Sequence, residues 1–232
     1  MNGLRSSLTS AALLLLASSM TQVASAEGNI IFEDNFVSET LKPVWHVAVE
    51  DRNRWGLVEN DYLILLPKLD PVNIFSYKEE LPESYRAVIS LDSPPNSDWS
   101  RIELGIGDGE DWVSIWYSPY VYGTDWYGQN VVGPIVASPK KADGDVSAYV
   151  YDDLDKISER KKLFFSVTKE GVEYTMAFST DGAYWHDIGT HSHLSLNGTI
   201  YFAYFYMDDW TNAASYPEAP IKIDRIYIQT LE

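Results

Sequence analysis

After Ala26 no stretch of useful length repeats its apolar residues at the helical period; short runs alternate at a period of two instead. Alternation places successive side chains on opposite faces, the pattern of a half-buried strand. The runs are Tyr85–Leu91, Arg101–Ile106, Trp112–Tyr117, Ser147–Tyr151, Leu163–Thr168, Val172–Phe178, Thr199–Met207 and Ile221–Gln229. Gly, Asp, Asn and Pro separate them. Gly107-Asp108-Gly109, Lys169-Glu170-Gly171, Asp181-Gly182 and Asn197-Gly198 read as hairpin turns. Regular short strands joined by such turns predict an all-β sandwich or barrel. With no repeat and no linker, residues 27–232 read as one domain.

The same alternation sorts faces. In Arg101–Ile106, Ile102, Leu104 and Ile106 point to one side, and Arg101, Glu103 and Gly105 to the other. Val113 and Ile115 fit a core side, which leaves Trp112, Ser114 and Trp116 opposite. Ser147, Tyr149 and Tyr151 are expected to oppose Ala148 and Val150. Trp112 and Trp116 then share a face ~13 Å apart, a spacing suited to two units of one oligosaccharide.

Aromatic usage supports a ligand. The chain has 8 Trp and 16 Tyr against 8 Phe. Buried Tyr and Trp need partners for their polar hydrogens, so this excess suggests half-exposed rings that suit a flat neutral ligand. Candidate contacts are Trp99, Arg101, Glu103, Trp112, Trp116, Tyr120, Tyr122, Trp126, Tyr149, Tyr206 and Asp208. Several fall in Trp116–Tyr127, a loop-like stretch with Pro and Gly, where binding residues concentrate on β-scaffolds. Tyr204 is a similar candidate. Arg101 and Glu103 read equally well as a surface pair, which contributes little stability.

Charge and the N-terminus bound the setting. The formal net charge is −17, which disfavours a phosphate backbone or an anionic membrane as partner. With no cysteine in the chain, disulfides are excluded. Residues 1–26 run from one cation, Arg5, through Ala11-Ala12-Leu13-Leu14-Leu15-Leu16-Ala17 to Ala24-Ser25-Ala26. That order is a secretory signal peptide, too short to span a bilayer, so a secreted or periplasmic protein starting at Glu27 is expected. Oligomeric state is left open.

Phe32-Glu33-Asp34-Asn35-Phe36, Leu41-Lys42-Pro43-Val44-Trp45, Trp55-Gly56-Leu57 and Tyr62-Leu63-Ile64-Leu65 form an opening that resembles bacterial concanavalin A-like jelly-roll domains. Those include the domains appended to family 43 β-xylosidases and arabinosidases. Ser179 to Gly189 is similar to their S-x-D-G-x-x-W-x-x-I-G hairpin, and Ile223-Asp224-Arg225-Ile226-Tyr227-Ile228 to their last strand. The resemblance implies a jelly-roll β-sandwich of two antiparallel sheets, with Trp45, Trp55 and Trp185 in its core. It also implies a structural calcium tying first strand to last, which Asp34 and Asp224 are placed to hold with oxygen ligands alone. Both also read as ordinary strand-edge acids.

Catalysis is weaker. The E-x-D-x-x-E strand of laminarinase-type members, which sets two carboxylates ~5 Å apart, is absent. Arg101-Ile102-Glu103-Leu104 resembles the R-x-E-L strand of alginate-lyase-like members, but their Gln-Ile-His is missing. His191-Ser192-His193 lacks a third zinc ligand. Asp108, Glu110 and Asp111 read as a turn, and Asn197-Gly198-Thr199 as a turn or a glycosylation site. The expectation is a secreted glycan-binding sandwich. The alternatives are an unusual glycoside hydrolase or polysaccharide lyase, and a structural protein without a sugar site.

Overall fold

The structure is a computed structural model that describes residues 28–58, 61–66, 73–93, 100–108, 110–118, 122–124, 130–132, 135–140, 149–151, 162–194, 196, 198–206 and 220–231. The predicted signal peptide and the residues Trp99, Tyr120, Trp126 and Asp208 lie outside them.

Each alternating run contains a strand, and most neighbours are strands distant in sequence rather than hairpin partners. The strands are β1 (Ile30–Asp34), β2 (Trp45–Ala48), β3 (Trp55–Val58), β4 (Tyr62–Leu65), β5 (Ile74–Tyr77), β6 (Tyr85–Ser93), β7 (Ser100–Gly107) and β8 (Trp112–Tyr117). They continue as β9 (Tyr122–Thr124), β10 (Asn130–Val132), β11 (Ile135–Lys140), β12 (Tyr149–Tyr151), β13 (Leu163–Glu170) and β14 (Glu173–Ser179). The last three are β15 (His186–Ser192), β16 (Thr199–Tyr206) and β17 (Ile221–Thr230). An eight-stranded sheet runs β15-β14-β13-β6-β17-β4-β3 with β1 added beside β17, and a seven-stranded sheet runs β12-β11-β8-β7-β16-β5-β2. Strands β9 and β10 form a separate pair. Every pairing is antiparallel.

The two sheets face each other across one apolar core. Ile102, Leu104, Ile106, Val113, Ile115, Ile200 and Phe202 enter it from the seven-stranded sheet, and Ile89, Leu91, Phe165, Val167, Met176 and Ile226 from the other. Their removal from water is the main drive for the sandwich. Trp45 and Trp55 are core residues, as the resemblance implied. The ring of Phe202 stacks on Phe75 at 4.8 Å and takes the edge of Trp45 at 5.3 Å.

Two turn expectations resolve differently. Gly171 and Gly182 have φ of +59° and +77°, as their hairpins require. Ser179 Oγ accepts the Gly182 N–H, and Asp181 Oδ1 accepts the N–H groups of Ala183 and Tyr184. Asn197 lies outside the described residues, and Gly198 joins no hairpin, because β15 and β16 belong to opposite sheets. Gly198 is needed for close approach instead: a Cβ there would lie 2.4 Å from the backbone of Gly107.

Candidate functional site

The outward face of the seven-stranded sheet carries a polar network around a buried carboxylate. Strand β7 sits between β8 and β16, so its outward side chains are flanked on both sides. Glu103 is 4 % exposed, and Ser114 is fully buried. A buried carboxylate is costly unless paired and hydrogen-bonded. Here it is both. Arg101 donates from Nη2 to Glu103 Oε2, and the Tyr201 hydroxyl donates to Oε1 at 2.6 Å. Ser114 in turn donates to the phenol oxygen. Burial first, then the charge and hydrogen bond of Glu103, push the Tyr201 hydroxyl well above its ordinary value, against the opposing pull of Arg101 and Ser114. Tyr201 is therefore a fixed neutral donor.

Glycine makes the network geometrically possible. Tyr201 pairs with Gly105, and Glu103 with Ala203, so the phenol reaches its carboxylate diagonally. The ring crosses over Gly105, where a Cβ would lie 2.6 Å from Tyr201 Cζ. Gly107 is similarly confined, with an added Cβ 3.0 Å from that of Trp112.

Trp116 pairs with Glu103 across β7 and β8, on the expected face. It is not an open platform. Its side chain is 6 % exposed, and the Arg101 guanidinium lies over the ring at 4.6 Å from the centroid. Arginine thus joins the aromatic and the carboxylate into one unit. The buried indole N–H of Trp116 has no acceptor. Trp112 shares the face, is half-buried, and pairs with Gly107.

Arg101, Glu103, Trp112 and Trp116 share the outward face that the alternation indicated, and the pairing of β7 with β8 makes their strands neighbours. Tyr122 pairs with Val132 in the separate hairpin, and Tyr206 pairs with Ser100 at the end of β16. Tyr149 is in register with Ala137, which pairs with Ile115, and Val150 is in register with Val136, which pairs with Trp116. Tyr204 is buried in the core, 2 % exposed. Sequence reasoning missed Tyr201 and underused Ser114. The signal was available: in β16, Ile200, Phe202 and Tyr204 share the core face, so Tyr201 and Ala203 belong opposite.

The hydrogen bonds and ion pairs of Asp34 and Asp224, the calcium candidates, go to different residues. Asp34 is 1 % exposed and accepts the Phe36 N–H at 3.0 Å and the Trp45 indole N–H at 2.8 Å, with Lys42 Nζ 3.6 Å away. Asp224 is half-exposed, with Oδ2 3.4 Å from both Ser90 Oγ and Lys162 Nζ. Among the described residues no group of three or more His, Asp or Glu is placed to hold a metal. Asp108 caps its turn by accepting the N–H groups of Glu110 and Asp111, and buried His193 has Nε2 3.3 Å from Asp111 Oδ2.

Trp185 is a correction to the core assignment. It lies outside the core cluster, with Arg86 stacked on its ring at 3.8 Å. Arg86 alternates with core-facing Tyr85 and Ala87, so it stands on the outer face of the eight-stranded sheet. Its guanidinium also donates to Ser166 Oγ at 3.1 Å. Burial pulls Arg86 below its ordinary value, while the charges of Tyr227 and Asp187 act the other way.

No protein-family model and no curated protein sequence matches this chain. Solved structures do. The family GH43 protein BlXynB from Bacillus licheniformis superposes with a TM-score of 0.64 at 16% identity, covering 86% of this chain and 39% of that one. The xylan β-1,4-xylosidase from Bacillus halodurans gives 0.61 at 14% identity, over 85% of this chain and 38% of that one. The β-glucanase from Bacillus licheniformis gives 0.60 at 10% identity, over 86% and 98%. The chain therefore spans about two fifths of the family 43 structures and nearly all of the glucanase. At such identities the likeness establishes the fold, and that fold is a concanavalin A-like jelly-roll sandwich of two antiparallel sheets.

Proposed function

We propose that this chain acts outside the cytoplasm as a carbohydrate-binding jelly-roll, holding its ligand on the outward face of the seven-stranded sheet. The observation that carries the reading is the Ser114–Tyr201–Glu103–Arg101 network, built around the buried Glu103 carboxylate, against Trp116. A sheet face that only meets water has no need to bury a carboxylate and hold it with a guanidinium and a phenol. Polar groups fixed beside aromatic surface suit sugar hydroxyls and the apolar faces of sugar rings. The similar structures include a xylan β-1,4-xylosidase and a β-glucanase, which supports a glycan as the ligand class. The leader-like residues 1–26 support export, and no helix among the described residues is long and apolar enough to cross a membrane.

Binding is favoured over hydrolysis by the state of the carboxylate. On the outward face of β2, β5, β7, β8 and β16, Glu103 is the one acid, and both its oxygens are engaged. Retaining hydrolysis needs two carboxyl groups ~5 Å apart. A lyase needs a base, and a phenol held protonated is a poor one.

The test is calorimetric titration of the protein with neutral xylo-, arabino- and gluco-oligosaccharides, with reducing-end release measured in parallel. Binding without release is expected. Glu103→Gln weakens it about ten-fold or more, by unbalancing Arg101 and Tyr201. Trp185→Ala, on the far sheet, lowers stability and leaves affinity unchanged. Equal affinity in the Glu103→Gln protein removes the site from this face, and sugar release makes the protein an enzyme.

A further inference from the structure

Two described tryptophans, Trp55 and Trp116, combine a buried ring, an arginine on that ring and an indole N–H with no acceptor. Trp55 belongs to the core cluster, whereas Trp116 stands on the outward face beside Glu103. Buried donors in folded proteins are almost always satisfied, and an exception calls for a specific explanation. The obvious acceptor is near: Glu103 is the residue directly paired with Trp116. Its oxygens are already held, Oε2 by Arg101 and Oε1 by Tyr201. On the other side Trp116 pairs with Val136, an apolar residue. Of the two core indoles, Trp45 donates to Asp34 at 2.8 Å and Trp55 has no acceptor.

We infer that the Trp116 N–H is held in reserve for the ligand, and that the group it recognises is a neutral acceptor oxygen, a sugar hydroxyl or ring oxygen. The inference rests on the carbohydrate reading and deepens it. Neutrality follows from the charge balance of the site. Arg101 is the cation at the ring, and Glu103 already compensates it, so among the described side chains at the ring a carboxylate-bearing sugar finds no uncompensated counter-charge. The chain's net charge of −17 adds a further bias against an anion. Trp116 is thus a specificity-determining residue that acts through one hydrogen atom, while its ring is immobilised by Arg101.

An isosteric replacement isolates that atom. Benzothienylalanine incorporated at position 116 keeps the fused ring and exchanges N–H for sulfur. Titration with the neutral oligosaccharides and with uronate oligosaccharides is compared with thermal melting of the same protein. The expected result is an unchanged or higher melting temperature, because an unsatisfied donor has been removed, together with an affinity loss of about ten-fold or more. The same replacement at Trp55, whose core indole N–H also lacks an acceptor, should leave sugar affinity unchanged. A second readout needs no substitution: in indole-labelled protein, the Trp116 N–H resonance should shift and exchange more slowly once a neutral sugar is added. Unchanged affinity and an unmoved resonance, in protein that does bind a neutral sugar, overturn the inference and leave the carbohydrate reading standing. Tighter binding of uronates overturns the neutral-acceptor part. If no sugar binds the unsubstituted protein, the underlying reading fails and this inference falls with it.

Discussion

Tyr201 on β16 donates to Glu103 on β7 at 2.6 Å, although neither residue is the other's direct partner in the ladder. The contact exists because Gly105 leaves the path of the phenol ring clear. Strand glycines usually weaken a sheet, so this one is retained for a close approach.

Gly105→Ala therefore tests the network from beneath. The added methyl group has no room under Tyr201, and overpacking of this kind costs about 1–3 kcal/mol. Tyr201→Phe keeps the ring and leaves Glu103 Oε1 without its donor, a loss of about 1–3 kcal/mol. Both proteins should melt lower and bind oligosaccharide more weakly. A Gly105→Ala protein with unaltered melting and binding would show that the ring does not lie where the structure puts it.

Alkaline pH should reveal the buried tyrosines. Burial pushes the Tyr117 hydroxyl from its ordinary 10.0 to about 12. Below pH 10 the hydroxyl is protonated in both folded and unfolded chains and adds no pH dependence. Between 10 and about 12 the unfolded chain releases a proton that the folded chain keeps, so stability falls as pH rises. Integrated over that interval the loss is about 2–3 kcal/mol for this one group. Urea unfolding at a series of pH values should show the decline, and Tyr117→Phe should make it shallower. A slope that the substitution does not alter would assign the effect to other residues.

Asp34 separates a structural role from an ionic one. It satisfies two buried donors, the Phe36 N–H and the Trp45 indole. Asp34→Ala leaves both unpaired and should cost about 3–5 kcal/mol, the range for breaking a buried charged contact. The structure assigns that loss to the Trp45 contact, so it should appear equally with calcium or with a chelator present. If chelation alone lowers the melting temperature of the unsubstituted protein, and Asp34→Ala abolishes that effect, the carboxylate holds calcium as the family resemblance implied.

Alternation made much of this molecule legible before any coordinates. The side-chain period of a strand is local, so Arg101, Glu103 and Gly105 could be set apart from Ile102, Leu104 and Ile106 from the chain alone. Where an element is short the same reasoning loses its anchor. In β12 no apolar run tells which residues face inward, and Tyr149 comes into register with Ala137 and Ile115 through strand pairing alone. The Trp185 motif was recognised for its hairpin, but which side of a sheet an aromatic takes depends on what covers it. Here Arg86, about a hundred residues earlier, covers the outer side.

The local sequence, then, determined the all-β class, most strand positions and the division of β7 and β8 into core and outward faces. Tertiary structure alone decided which strands became neighbours. That β16 lies beside β7, bringing Tyr201 to Glu103 from 98 residues away, follows from the best joint burial of two whole sheets. No turn or propensity encodes it, because pairing between distant strands is selected by the packing of the entire core. The same selection placed Arg101 over Trp116 and turned an expected open aromatic platform into a buried, charge-balanced site.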